Sequence, residues 1–126
     1  MASVLHASSF RAWLAAILLF VPTTGWPHAV LVRSAPSARA TLARPPERVQ
    51  LWFNERLEPA YSKVSVWDGG GRQVDTGDGV VDSAEPTRLT VGVLPLAPGI
   101  YMVKFRVLSV DGHLVESQFP FTVRAR

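Results

Sequence analysis

Turns interrupt this chain too often for it to form long helices. Ten prolines and nine glycines are spread through its 126 residues, and no uninterrupted helix-forming stretch follows residue 30. Because proline and glycine are unfavourable inside helices and common in turns, the sequence predicts an all-β fold. The length fits a single domain.

About seven segments after residue 30 carry strand patterns. The longest, from Ile100 to Val110, alternates so that Tyr101, Val103, Phe105 and Val107 share one face. The other six segments are residues 30–33, 49–53, 63–67, 72–76, 88–94 and 118–124. Residues 72–76 are expected to return from the Asp68–Gly71 turn as the hairpin partner of residues 63–67. Short strands at this spacing, with turns between them, predict an antiparallel Greek-key β-sandwich.

The first 27 residues have the layout of a secretory signal peptide. Arg11 supplies a positive charge, Ala12 to Val21 form an apolar run, and Pro22 to Gly25 break it. The run is shorter than the roughly 20 apolar residues that span a bilayer. We therefore expect export, with cleavage after a residue in the range 25–27, either after Gly25 or just before His28, and a domain of residues 28–126 that is not inserted in the membrane.

Charge and cysteine content exclude several classes of function. The formal net charge is +3, and the arginines are scattered without a dense basic run, whereas nucleic-acid binding needs a concentrated basic face. The chain has no cysteine, which excludes disulfides, thiolate zinc sites and blue-copper centres. No motif activates a catalytic nucleophile, although Ser109 and Ser117 flank an Asp-Gly-His sequence.

That Asp-Gly-His sequence, Asp111 to His113, and His28 are the candidate metal ligands. If the backbone is extended at Asp111 and His113, their side chains point to the same side, with Cα atoms roughly 6.6–7 Å apart. Cleavage just before His28 would add a free α-amine to its imidazole. Nitrogen and oxygen donors of this kind suit Cu(II). Taken alone, however, Asp-Gly is equally a common hairpin turn.

From His28 onward the chain resembles the CopC family of periplasmic copper-binding and copper-resistance proteins. Three blocks in order carry the resemblance: the opening HAVLVRSAP of residues 28–36, the strand VQLWFNERL of residues 49–57, and residues 96–113, with their Gly-x-Tyr strand and closing Asp-x-His. The resemblance implies a cupredoxin-like or immunoglobulin-like β-barrel with a Cu(II) site.

The resemblance also implies which residues hold the ion. The ligands would be the amine and imidazole of His28, the carboxylate of Asp111 and the imidazole of His113. Glu55 matches a glutamate near the family's site and would hydrogen-bond there or balance charge. Some members carry a methionine-rich Cu(I) site, but this chain has only Met1 and Met102, so a Cu(II)-only site is expected.

The sequence thus predicts a non-enzymatic periplasmic copper carrier for resistance, sequestration or trafficking. Its partners would be the copper ion and an inner-membrane copper importer or another copper-handling protein, with no nucleic acid. Two alternatives remain open at this stage. One is a copper-dependent oxidative enzyme with an N-terminal histidine chelate, and the other is a metal-free immunoglobulin-like interaction domain.

Overall fold

A computed structural model describes residues 29–125 and consists of two four-stranded β-sheets. The strands are β1 (Leu31–Ala35), β2 (Thr41–Leu42), β3 (Arg48–Phe53), β4 (Lys63–Asp68), β5 (Val80–Val81), β6 (Arg88–Gly92), β7 (Gly99–Leu108) and β8 (Leu114–Val123). One sheet has the order β1-β3-β6-β5 and the other β2-β8-β7-β4. All neighbours pair antiparallel except β2 and β8. The predicted all-β sandwich is confirmed.

Alternating side chains from both sheets build the core between them. On β7 the predicted inward face, Tyr101, Val103, Phe105 and Val107, is buried throughout. Phe105 meets Phe53 of the opposite sheet edge to face, with ring centroids 5.5 Å apart. Such pairs add stability beyond the apolar area they bury, so the two sheets are firmly joined close to the ends of β3 and β7.

The predicted strand at residues 72–76 is wrong. Only isolated bridges form there, from Gln73 to Trp67 and from Asp75 to Val93. The Asp75 carboxylate instead accepts hydrogen bonds from the backbone N–H groups of Val66 and Gly77. A side chain therefore takes donors that a regular ladder would have used.

The hairpin of β7 and β8 is the element that positions the candidate ligands. β7 ends at Leu108 rather than Val110, and β8 begins at Leu114, before the predicted start at Gln118. The two long strands pair in register along their whole length. Asp111 and His113 therefore lie in the tight connection at one end of the sandwich. No helix long and apolar enough to cross a membrane occurs among residues 29–125.

Candidate metal centre

The hairpin loop, defined here as Ser109 to His113, is a closed turn. The N–H of Ser109 donates to the carbonyl of His113 at 3.0 Å, and the N–H of Gly112 donates to the carbonyl of Ser109 at 2.9 Å. Gly112 has a φ of 92°, a conformation that glycine adopts without strain. Of the two conformations that the sequence left open between Asp111 and His113, an extended backbone and an Asp-Gly turn, the structure has the turn.

The turn nevertheless brings the two predicted side chains of this loop together. The Nδ1 atom of His113 lies 3.1 Å from Oδ1 of Asp111, and the backbone N–H of His113 donates to the same oxygen at 3.4 Å. The hydroxyl of Ser109 also donates to this oxygen. About a third of each ligand side chain is exposed, 37% for His113 and 33% for Asp111, so both remain accessible to an ion.

Hydrogen bonding keeps the Asp111 carboxylate ionised. The Ser109 hydroxyl is the main cause of a lowered pKa for Asp111, partial burial opposes it, and hydrogen bonds from the side chain and backbone of His113 lower the pKa further. Donors that bond to the charged form of a carboxylate favour that form. Asp111 is thus an anionic oxygen donor throughout the neutral pH range.

The spacing of the two donor atoms suits neighbouring positions around one ion. Two donors 3.1 Å apart, each about 2 Å from a shared ion, subtend an angle of roughly 100° at that ion. This angle lies between those of tetragonal and tetrahedral coordination, so the spacing allows a shared ion without selecting which one. The same spacing also allows Nδ1–H of His113 to donate to Asp111, which would leave Nε2 for the ion.

A short linking segment, residues 54–58, connects the hairpin loop to the beginning of β1. At one end, the side-chain Oδ1 of Asn54 accepts from the N–H of Val30 at 2.7 Å, and the N–H of Asn54 donates to the carbonyl of Val30 at 3.1 Å. Further along, the carbonyl of Arg56 accepts from the N–H of Val110 at 2.9 Å. The first described residues and the hairpin loop are therefore held against the same few residues.

The middle of the linking segment is anchored in the core. Leu57 is buried and forms a bridge with Ser109, and the N–H of Glu58 donates to the carbonyl of Leu108 at 2.8 Å. Glu55, predicted to sit near the site, is half-buried between Asn54 and Arg56. It therefore lies on the chain that joins the two parts of the candidate centre.

His28, the third predicted ligand residue, lies outside the described residues. Within residues 29–125, no group of three or more His, Cys, Asp or Glu side chains could hold a metal ion. The pair in the hairpin loop therefore needs donors from elsewhere to complete a site. Two residues of chain reach roughly 7 Å from Val30, which is the length available to His28.

Sequence reasoning missed two polar residues around this pair. Ser109 directly follows β7 and continues the inward alternation of Phe105 and Val107, and a serine at that position in an apolar alternation is a signal that could have identified it. Asn54 carries no comparable signal, because its bond to Val30 spans 24 residues of sequence. Contacts of that range depend on the fold.

Comparisons with known proteins were consistent with each other. A family model described as the CopC domain matches residues 31–124. The crystal structure of CopC from Methylosinus trichosporium OB3b is similar, with 43% sequence identity and a TM-score of 0.69, covering 77% of this chain and 94% of that one. The structure of PcoC, a methionine-rich copper resistance protein from Escherichia coli, has 28% identity and a TM-score of 0.66, covering 77% and 99%.

A longer relative also matches. Copper transport protein CutJ of Bacillus subtilis (strain 168) is 29% identical over 116 residues, which cover 90% of this chain. The chain spans only 21% of the length of CutJ. The similarity therefore concerns one part of that larger protein.

Proposed function

The chain belongs to the CopC domain family, and on this basis we propose that its mature form binds one Cu(II) ion through His28, Asp111 and His113. His28 would supply its α-amine and its imidazole, Asp111 a carboxylate oxygen, and His113 an imidazole nitrogen. The proposed role is to sequester or carry copper in the periplasm as part of copper resistance or trafficking.

Family membership fixes the coarser part of this function. The CopC family consists of copper-binding and copper-resistance proteins rather than enzymes, so the prediction of a copper-related, non-enzymatic role is confirmed. An oxidative enzyme and a metal-free interaction domain, the two alternatives from the sequence, do not agree with this membership.

The linking segment is the observation that carries the proposed ligand set. Val30 and Val110 hydrogen-bond to residues only two apart, Asn54 and Arg56. His28 precedes Val30 by two residues, and Asp111 directly follows Val110. These contacts hold the first described residues and the hairpin loop against the same three-residue stretch, which supports a site shared by His28, Asp111 and His113.

The donor types favour Cu(II) over other ions. Imidazole, amine and carboxylate donors without thiolate suit Cu(II), which also binds most tightly in the divalent series. Cu(I) prefers soft thioether donors, and PcoC is described as methionine rich. This chain has two methionines, Met1 and Met102, so we assign it no Cu(I) cluster.

We place Glu55 beside the ion as a group that balances charge. Its neighbours on both sides bond to the two parts of the proposed site, Asn54 to Val30 and Arg56 to Val110. A carboxylate at such a position can orient a ligand or offset the positive ion without binding it directly. Glu55 is therefore proposed as a supporting residue and not as a ligand.

Export and copper transfer complete the proposal. Residues 1–27 would direct the chain to the periplasm and be removed there, and this cleavage would create the α-amine donor. CutJ, named a copper transport protein, contains a region similar to this chain within a much longer protein. That similarity supports a role in copper transport, and we propose an inner-membrane copper importer or another copper-handling protein as the partner.

Copper titration of the mature chain tests the proposal. We expect His113→Ala to lower Cu(II) affinity by more than about 100-fold, which exceeds the usual effect of a residue that only supports a ligand. Lys63→Ala, on β4 and away from the hairpin loop, is the control and should leave affinity unchanged, with circular dichroism confirming that both variants fold. Equal affinities for the two variants would remove His113 from the site.

A further inference from the structure

Ser109 has an unusual environment among the described residues. It is fully buried, with an exposed fraction of 0%. Among residues 29–125, the other buried residues of polar type are Ser62 and Thr90. Burying a hydroxyl costs free energy unless the hydroxyl forms hydrogen bonds inside the protein. The partners that Ser109 has found therefore explain why a serine is tolerated there.

Those partners are the two predicted ligand residues of the hairpin loop. The hydroxyl of Ser109 donates to Oδ1 of Asp111, and the backbone N–H of His113 approaches the same hydroxyl oxygen at 3.3 Å. The backbone of Ser109 closes the loop as well, through its N–H to the His113 carbonyl and its carbonyl to Gly112. One buried side chain thus contacts both members of the pair.

Ser109 is itself immobilised by the core. It continues the inward face of β7 after Val107, and it bridges Leu57 of the linking segment. A donor fixed in this way defines where its acceptor oxygen must lie. Asp111, by contrast, is partly exposed on a turn, where an unrestrained carboxylate samples several rotamers.

We propose that Ser109 is a positioning residue of the copper site, whose buried hydroxyl fixes the Asp111 carboxylate beside the His113 imidazole before copper arrives. This inference rests on the proposed copper-binding function. Its physical basis is preorganisation, because an ion that meets donors already in place does not have to order them on binding. Ser109 itself would not touch the ion.

Affinity measurements on a double-mutant cycle provide the main test. We expect Ser109→Ala to lower Cu(II) affinity about 10-fold, the lower end of what outer residues contribute at metal sites. In an Asp111→Ala background the same change should have no further effect, because Ser109 acts through that carboxylate. Ser117→Ala, a serine on the exposed part of β8, is the matched control and should bind copper like the unaltered chain.

The outcomes separate this inference from the proposed function. If the unaltered chain binds Cu(II) and depends on His113, but Ser109→Ala binds as tightly as Ser117→Ala, the positioning role is wrong while the proposed function stands. If Ser109→Ala weakens binding equally in both backgrounds, Ser109 acts through general structure, which also overturns the inference. If the unaltered chain does not bind Cu(II), the proposed function itself fails.

A measurement on the copper-free protein covers the case in which Ser109→Ala does not fold. A buried hydroxyl proton that bonds a carboxylate exchanges slowly and can be detected by NMR. Asp111→Ala changes only an exposed loop side chain and should fold, and it should shift or abolish the Ser109 hydroxyl resonance. An unchanged resonance in Asp111→Ala would show that the hydroxyl does not hold the carboxylate, and the inference would be overturned.

Discussion

The two halves of the proposed copper site are held in place in different ways. The loop half, Asp111 and His113, is fixed by contacts made within the hairpin loop, chiefly through Ser109. The terminal half begins at Val30, whose backbone is held by Asn54, 24 residues away in sequence. The Asp111–His113 pair is thus held mainly by contacts within one loop, which Ser109 and Val110 anchor to the linking segment, whereas Val30 is held by an extension of the β1–β3 pairing.

This difference assigns separate costs to the two halves. The loop half is ordered when the β7–β8 hairpin forms, so its conformational entropy has already been lost during folding. A residue that copper had to order on binding would cost roughly 1–2 kcal/mol of backbone entropy, and the loop half avoids that cost. The proposed terminal half would instead include an α-amine that only cleavage creates.

Acidification should produce the largest loss of Cu(II) affinity, because it protonates nitrogen donors in both halves, and more of them in the terminal half. The proposed terminal half would contribute an α-amine and an imidazole, and the loop half would add one more imidazole. All of these nitrogens must lose protons to bind copper. We expect Cu(II) affinity to fall on the order of 1,000-fold or more between pH 8 and pH 5, measured by competitive titration.

Asp111 should not contribute to that loss. Its pKa is lowered from 3.8, mainly by the Ser109 hydroxyl, so its carboxylate stays ionised from pH 5 upward. The stability that this hydrogen bond gives the metal-free fold is complete above pH 3.8 and is lost only as pH falls through the lowered value. The same affinity at pH 5 and pH 8 would contradict the nitrogen-rich ligand set.

A single residue added before His28 should have the next largest effect. Such an extension keeps both imidazoles and the whole loop half but moves the α-amine away from the chelate. We expect Cu(II) affinity to fall about 100-fold, because losing a direct donor should cost at least as much as losing an outer residue at a metal site. The pH dependence of the affinity should also become shallower. An extra residue after Arg126 is the control, and equal affinities for both extensions would remove the amine from the site.

The fold could be predicted because its signals are local. The alternation on β7 and the frequent turns identify the sandwich, and the described structure confirms both. The errors fall where side chains replace ladder bonds, as at Asp75 with Val66 and Gly77. The alternation of apolar and polar residues does not predict which backbone N–H groups will donate to a nearby carboxylate.

The site could be predicted only as a set of residue types. Asp111 and His113 are recognisable by their spacing, but the sequence left open whether the backbone between them is extended or turns, and the structure has a turn at Gly112. The contacts of Asn54 and Arg56 with Val30 and Val110 could not be foreseen, since they join segments distant in sequence. The Val30–Asn54 contact depends on the pairing of β1 with β3, and the Val110–Arg56 contact depends on the approach of the two sheets.

Asn54→Ala should have the smallest effect and is the sharpest test of the difference between the halves. It removes the side-chain acceptor of the Val30 N–H but leaves the loop half untouched. We expect Cu(II) affinity to fall by about 10-fold, the size of an outer-residue effect, while the free energy of unfolding falls by only about 1 kcal/mol, the usual net value of one hydrogen bond. Gln118→Ala, an exposed amide on β8, is the control.

In a chain that already carries the extra residue before His28, Asn54→Ala should change Cu(II) affinity much less, because the terminal half is then already impaired. A full 10-fold loss in that background would mean that Asn54 serves the loop half instead, and the two halves would not be independent.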